Sequence, residues 1–265
     1  MTSAGTCLRW LAWSGIAALM FISFFIAFPN FDLWVSGVFG TSGQGFALRG
    51  MSGWNAVRAT MIALTDGMVA GAIGLLLVGW FYPRMHVIRT RVLLFCITAY
   101  AIGPGLVVNG ILKTYSQRAR PWNVAEFGGD ARYSRPFELA GQCGGHCSFV
   151  SGEASALSVI AVIALLTFVP SLPRERQRNA RFAIVAIAVL GSVLRVAFGA
   201  HFASDVIFAA VFMNLMVPAL FLAFGLHRLA SPFVRRDGPQ ELGTRSGKWS
   251  TSASEGTGTS QLVPW

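Results

Sequence analysis

Six apolar stretches, each long enough to cross a bilayer, constrain this chain more than any other feature of its sequence. A helical span needs about 20 mostly apolar residues, because the helix rises about 1.5 Å per residue through roughly 30 Å of hydrocarbon. Such segments fall at roughly 8–28, 59–82, 91–112, 152–172, 180–199 and 203–226. Hydrocarbon offers no partner to a peptide group, so each stretch is expected to be a helix that satisfies its own backbone. The first could pass for a signal peptide. Its apolar run is too long, however, and no small-residue cleavage site precedes Phe28-Pro29-Asn30, so it reads as a retained span. Only 12% of the 265 residues are charged, where a soluble domain carries roughly 25%. The expectation is an all-α, polytopic membrane protein with a single six-helix bundle over 1–234. The Gly-, Ser- and Thr-rich segment 235–265 lacks apolar periodicity and reads as a disordered cytoplasmic tail.

The net charge of +10 raises nucleic acid as a partner, and its placement argues against one. Lys and Arg concentrate in alternate loops, the signal that such loops stay in the cytoplasm. Arg84, Arg89 and Arg91 lie between spans two and three with no acid. Arg174, Arg176, Arg178 and Arg181 lie between spans four and five against Glu175 alone, and Arg228, Arg235 and Arg236 follow the last span. Residues 29–57 hold only Asp32 and Arg49. Both termini are therefore expected in the cytoplasm, with the bilayer as the partner. Cys7 and Cys96 sit in apolar stretches and read as buried small side chains. Cys143 and Cys147 share a polar loop, where a disulfide is possible in an oxidising compartment. Their spacing alone leaves the pairing open.

Loop 113–151 breaks the charge pattern. It carries Lys113, Arg118, Arg120, Arg132 and Arg135 on the face expected to be external, so insertion cannot be the reason for them. Three clusters sit at that face. In the first, Lys113-Thr-Tyr-Ser-Gln-Arg118-Ala-Arg120-Pro121 places several cations within eight residues, and a planar guanidinium suits phosphate oxygens. The plain alternative is snorkelling at a helix end. In the second, Ser151-Gly152-Glu153 opens span four, where free backbone N–H groups and the helix dipole favour an anion. An ordinary cap at Ser151 explains the same residues. In the third, Arg195 precedes His201 and Asp205. The last two are four apart and would share a helix face, so a carboxylate could orient the ring. Arg195 reaches them only if the helix breaks near Gly199. A structural His–Asp pair between helices is the alternative, but ionisable residues at membrane depth are usually functional. Asp66, within span two, is the only hint of a buried proton or ion site. The remaining polar residues lie at one face rather than at the midplane, which speaks against a transporter.

Together the three clusters resemble the type 2 phosphatidic acid phosphatase superfamily, which includes bacterial acid phosphatases and vanadium haloperoxidases. That pattern runs Lys, six residues, Arg-Pro; then Pro-Ser-Gly-His; then Ser-Arg, five residues, His, three residues, Asp. Here the first element is complete at Lys113, Arg120 and Pro121. The third is present at Arg195, His201 and Asp205, with Leu194 in place of Ser. The middle element keeps Ser151 and Gly152 but has Val150 for Pro and Glu153 for His.

The resemblance implies a PAP2/haloperoxidase-like bundle and a metal-independent hydrolase with no cofactor. His201 would attack phosphorus to give a phosphohistidine that water hydrolyses, with Asp205 orienting it. Lys113, Arg120, Ser151, Gly152 and Arg195 would hold the phosphoryl oxygens. The residue that protonates the leaving group in the family is His, and here Glu153 stands in its place; His146 is a second candidate, and a leaving group needing no acid is a third possibility. A site at the outer membrane–water boundary suits a membrane lipid phosphate, cleaved at the periplasmic face of a bacterial inner membrane. The variant middle element looks like those of lipid A phosphatases within the superfamily. Undecaprenyl pyrophosphate and phosphatidylglycerophosphate are the competing substrates, and an inactive phospholipid-binding relative is the alternative of another class.

Overall fold

The structure, a computed structural model, describes residues 1–41, 45–85, 87–145 and 147–234. The expected tail 235–265 and His146 lie outside the described residues. Among the described residues, six helices have the length and apolarity of membrane spans. They comprise α1 (Ala4–Ala27), α3 (Ser52–Phe81), α4 (Thr90–Tyr100) with its continuation, α6 (Gly152–Ile163) with its continuation, α7 (Arg174–Ala197) and α8 (Ala203–Ala223). Among the described residues the chain is all-α apart from an antiparallel hairpin of two-residue strands, β1 (Gly40–Thr41) and β2 (Gly45–Phe46).

The helices outrun the apolar stretches that reveal them. α3 begins at Ser52 rather than near 59, and α7 begins at Arg174, so the basic residues 174–181 form its first two turns instead of a loop. Hydropathy marks only the length matched to hydrocarbon, while backbone hydrogen bonding continues into the interface. The third span also changes pitch. α4 runs into a π-helical stretch, Ala101–Leu112, and then into the single turn α5 (Lys113–Ser116). Pro104, which has no N–H to give to the preceding turn, lies in the wide part, and Asn109 Nδ2 donates to its carbonyl at 2.8 Å.

α6 and α8 form the centre, with more of each buried than of any other span, whereas α1 and α3 turn most of their surface outward. Phe95, Phe208, Met213, Val217 and Phe221 are fully buried in the main core. Lipid tails are as apolar as these side chains, so packing rather than water exclusion holds the helices together. At one end of the bundle, Thr2 N–H donates to the Leu166 carbonyl at 3.1 Å and Arg89 N–H to Pro232 at 2.9 Å. The opposite end carries α2 (Phe31–Gly37), the hairpin, loop 113–151 and the α7–α8 turn. Every expected site residue within the described chain belongs to this second end. Cys143 and Cys147 there form a disulfide.

Candidate active site

His201 is delivered by the turn that separates α7 from α8. Gly199, with φ 65°, donates to the Val196 carbonyl at 2.8 Å, and Ala200 donates to Arg195 at 3.2 Å. This paired closure at a left-handed residue is how many helices end. Any Cβ at 199 would also run into the Phe46 ring brought in by the hairpin, so conformation and contact both demand glycine. The break near Gly199 expected from sequence is therefore present, and it turns Arg195 and His201 toward one cavity.

His201 and Asp205 meet by a different route from the one expected. His201 precedes α8 instead of sharing a helix face with Asp205, and its Nδ1 stands 3.7 Å from Asp205 Oδ2, beyond hydrogen-bond reach. Nδ1 lies 2.8 Å from the Ser148 carbonyl. A carbonyl only accepts, so the neutral ring carries its proton on Nδ1 and keeps the Nε2 lone pair unprotonated. Asp205 acts through its neighbours: its Oδ2 accepts from Ser148 Oγ and, at 2.8 Å, from the Phe202 N–H beside the histidine. Burial pushes the His201 imidazole down to about 4; the Asp205 carboxylate opposes this and the Arg195 guanidinium adds to it. Near neutrality the ring is uncharged, the form a nucleophile needs.

A closed ionic network stands behind Asp205. Arg118 Nη1 donates to Asp205 Oδ1 at 2.7 Å and to Ser204 Oγ at 2.8 Å, Nη2 donates to Asp32 Oδ2 at 2.8 Å, and Nε donates to the Ser134 carbonyl at 2.9 Å. Asp32 in turn accepts from the Ser204 backbone N–H at 2.8 Å and from its hydroxyl. Arg118 is 1% exposed and both carboxylates are fully buried. The guanidinium also lies 4.2 Å over the Phe202 ring. Asp32 comes from α2, Arg118 from the segment after α5, and Asp205 from α8, so one side chain pins three parts of the chain at the site.

In front of His201 lies a cavity of about 290 Å³, lined by Lys113, Arg120, Gly152, Glu153, Arg195 and His201 among others. Six of the eight expected residues thus share one space. A Cβ at Gly152 would stand 3.2 Å from both Lys113 Nζ and Asn109 Oδ1, so glycine keeps room for the ammonium at the start of α6. Arg120 lies 4.9 Å over the Trp122 ring. The other two expected residues face elsewhere. Asp205 is buried behind the histidine, and Ser151 is buried with its hydroxyl accepting from Ala154 N–H at 3.3 Å as the cap of α6. Glu153 accepts from Arg58 Nη2 at 2.7 Å and Nε at 3.2 Å, and its Oε2 lies 3.3 Å from Arg195 Nε. In this arrangement the carboxylate accepts hydrogen bonds from Arg58 and forms an ion pair, without a hydrogen bond, with Arg195.

Arg58, Asp32, Arg118, Ser148 and Ser204 were not singled out from sequence as site residues. Two signals were available. Asp32 is one of only two charges in 29–57, and Arg118 lies inside the Lys113–Arg120 element. Arg58, just before an apolar span, carried no signal beyond its charge. Among the described residues no three His, Cys, Asp or Glu side chains are gathered within ligating reach of one point.

Comparison with known proteins places this geometry. Residues 89–228 match the PAP2 superfamily. A lipid A 4'-phosphatase from Francisella tularensis subsp. novicida is 33% identical over 72% of this chain and 84% of its own length. A lipid A 4'-phosphatase from Rhizobium leguminosarum is 31% identical over 76% and 87%. In fold, the chain is similar to the crystal structure of a transmembrane PAP2 type phosphatidylglycerolphosphate phosphatase from Bacillus subtilis. That likeness has a TM-score of 0.50 at 19% identity, covering 87% of this chain and 99% of that one. The frame, the cavity and the relatives agree, and the chain belongs to the PAP2 superfamily.

Proposed function

We propose that this membrane phosphatase removes a phosphate monoester from lipid A, by way of a phosphohistidine on His201. The observation that carries this reading is the His201 ring itself. The Ser148 carbonyl holds Nδ1, so Nε2 is the reactive atom, and the ring lines a cavity whose other walls include Lys113, Arg120, Arg195 and Arg58. In the proposed reaction Nε2 forms a bond to phosphorus as the phosphorus–oxygen bond to the sugar breaks. The imidazolium character that develops is offset by the nearby Asp205 carboxylate. The cations and the Gly152 N–H take the charge of the three transferring oxygens. Ser151 is proposed to join them by turning its hydroxyl from the cap toward phosphate.

Glu153 is proposed as the group that serves the leaving oxygen. Phosphate arriving at Arg58 and Arg195 competes for the guanidiniums that now hold the carboxylate. The released carboxyl, once protonated, gives its proton to the departing oxygen and then takes one from the water that cleaves the phosphohistidine. Lipid A is the preferred substrate because the relatives bearing that name are about one-third identical over most of their length. Phosphatidylglycerophosphate remains the second reading, favoured by the solved structure of similar fold.

The site is placed at the periplasmic face of a bacterial inner membrane, with both termini in the cytoplasm. The clustering of Arg84, Arg89, Arg91 and Arg174–Arg181 at the opposite end supports this orientation. So does the Cys143–Cys147 disulfide beside the site, which suits an oxidising compartment. Mass spectrometry of lipid A after expression in a host lacking its own phosphatase should show loss of one phosphate; unchanged lipid A with altered phosphatidylglycerophosphate would select the second reading. A reporter fused near residue 128 should be active only outside the cytoplasm.

A further inference from the structure

Asp66 stands midway along α3, where a carboxylate facing hydrocarbon is costly and calls for a reason. Tyr100 Oη donates to Asp66 Oδ1 at 2.9 Å, bridging α3 and α4. Both side chains line the same cavity as His201, and the proposed chemistry uses neither. Asp66 is exposed and Tyr100 is half-buried, so the pair is open to whatever enters the cavity. Eight residues, a little over two turns, separate Asp66 from Arg58, or about 12 Å along the helix axis. The phosphate-binding cations therefore sit toward one end of the space and this pair toward the other.

Beyond the pair the surroundings change again. A second cavity of about 280 Å³ begins at the same Tyr100 and is walled by Met68 and Leu75 of α3, Leu93 of α4, and Val159 and Ile163 of α6. From the membrane surface inward, the wall thus presents cations, then an acceptor pair, then an apolar slot. A phosphorylated lipid presents the complementary order: phosphate, polar linkage, hydrocarbon.

We infer that the Asp66–Tyr100 pair is a binding seat for hydrogen-bond donors, amide N–H or hydroxyl O–H, at the head of an acyl chain of the phosphorylated lipid. The chain itself lies in the slot beneath. A carboxylate accepts and does not donate, so the seat favours amide-linked or hydroxylated chains over plain ester-linked ones, which offer no donor. The inference rests on the phosphatase reading above and assigns selectivity to residues away from the reacting atoms.

The test uses the full-length protein in detergent micelles with two sugar phosphates of equal chain length. One, a glucosamine phosphate, carries an N-linked 3-hydroxyacyl chain. The other is the glucose counterpart, with an ester-linked chain at the same carbon and no chain hydroxyl, so the phosphate leaves from the same ring position and the chain head offers no donor. Asp66→Ala should lower kcat/KM for the first lipid by about tenfold or more, mainly through KM, because a hydrogen bond to a charged group is lost. Its penalty on the second lipid should be several-fold smaller, collapsing the preference of the unchanged protein. Tyr100→Phe should move the preference in the same direction by less. Equal losses on both lipids would make the pair only a clamp between α3 and α4 and overturn the inference, as would no loss on either. Release of phosphate from neither lipid by the unchanged protein would instead sink the phosphatase reading, so the two failures are distinct.

Discussion

Behind His201, Arg118 bonds through all three guanidinium nitrogens to Asp32, Asp205, Ser204 and the Ser134 carbonyl, sealed from solvent. In front of it, Arg58, Lys113, Arg120 and Arg195 share an open cavity with Glu153. Both regions gather cations and carboxylates on either side of the same imidazole, yet their charge balance is opposite. The rear network holds two carboxylates against one cation, and the front holds four cations against Glu153, with Asp66 about two helical turns further along the same cavity. A charge removed from water must be paired and hydrogen-bonded where it sits, and the rear network meets that condition. The front cluster has an excess of positive charge that an incoming phosphate is suited to balance. The rear holds geometry, and the front is the side proposed to receive the phosphate.

Substitutions on the two sides should therefore fail in different ways. The largest effect is expected at the junction, where His201→Ala should lower turnover by about 10⁴ or more while the melting temperature in detergent stays close to that of the unchanged protein. Near-normal phosphate release from that variant would remove the phosphohistidine. On the front side, Glu153→Gln should slow turnover by about 10²–10⁴ if it serves the leaving oxygen, and by less for an aryl phosphate that needs no proton. A loss independent of the leaving group would leave Glu153 with only the task of holding Arg58 and Arg195.

On the rear side, stability should be what suffers. Arg118→Met leaves two carboxylates buried without their cation, a cost of about 3–5 kcal/mol, read as a fall in melting temperature. Removing one of those carboxylates as well, in Arg118→Met with Asp32→Leu, should restore part of it. A stable Arg118→Met variant with only a raised KM would erase the distinction between the two regions. The smallest expected effect is a missing one. Because burial holds His201 at about 4, its neutral form persists as pH falls from 8 to 5. The kcat/KM profile should then show no limb from this group near the usual histidine value of about 6.5. Because the substrate's own phosphate ionises at about pH 6, a limb there that stays put when that ionisation is shifted, as between alkyl and aryl phosphates, would return His201 to ordinary behaviour.

The contrast also marks where sequence reading stops. Lys113, Arg120, Gly152, Glu153, Arg195 and His201 were legible because chemistry-bearing residues stood at the ends of apolar runs, and all six line the cavity. The glycine break at 199 was legible because Arg195 and His201 are six apart and no continuous helix would align them. The partners of these residues were not. Glu153 pairs with Arg58, 95 residues away, and Arg118 with Asp32, 86 residues away. The carbonyl that holds His201 belongs to Ser148, 53 residues earlier, and every residue has a carbonyl, so composition cannot flag it.

The sequence by itself determined that the chain crosses a bilayer six times and that its polar chemistry collects at one end. Hydrocarbon permits no other use of such stretches, and the helical rise sets how many residues each must contain. Tertiary structure alone decided which carboxylate meets which cation, which group orients the histidine, and how far each helix runs past its apolar stretch. Those outcomes depend on helix packing and on chain breaks that bring distant segments within 3 Å of one another. Periodicity and hydropathy report only on neighbours along the chain. The Asp66–Tyr100 pair shows the difference most simply: the sequence showed an unexplained carboxylate in α3, and the packing of α3 against α4 gave it a partner and a place in the cavity.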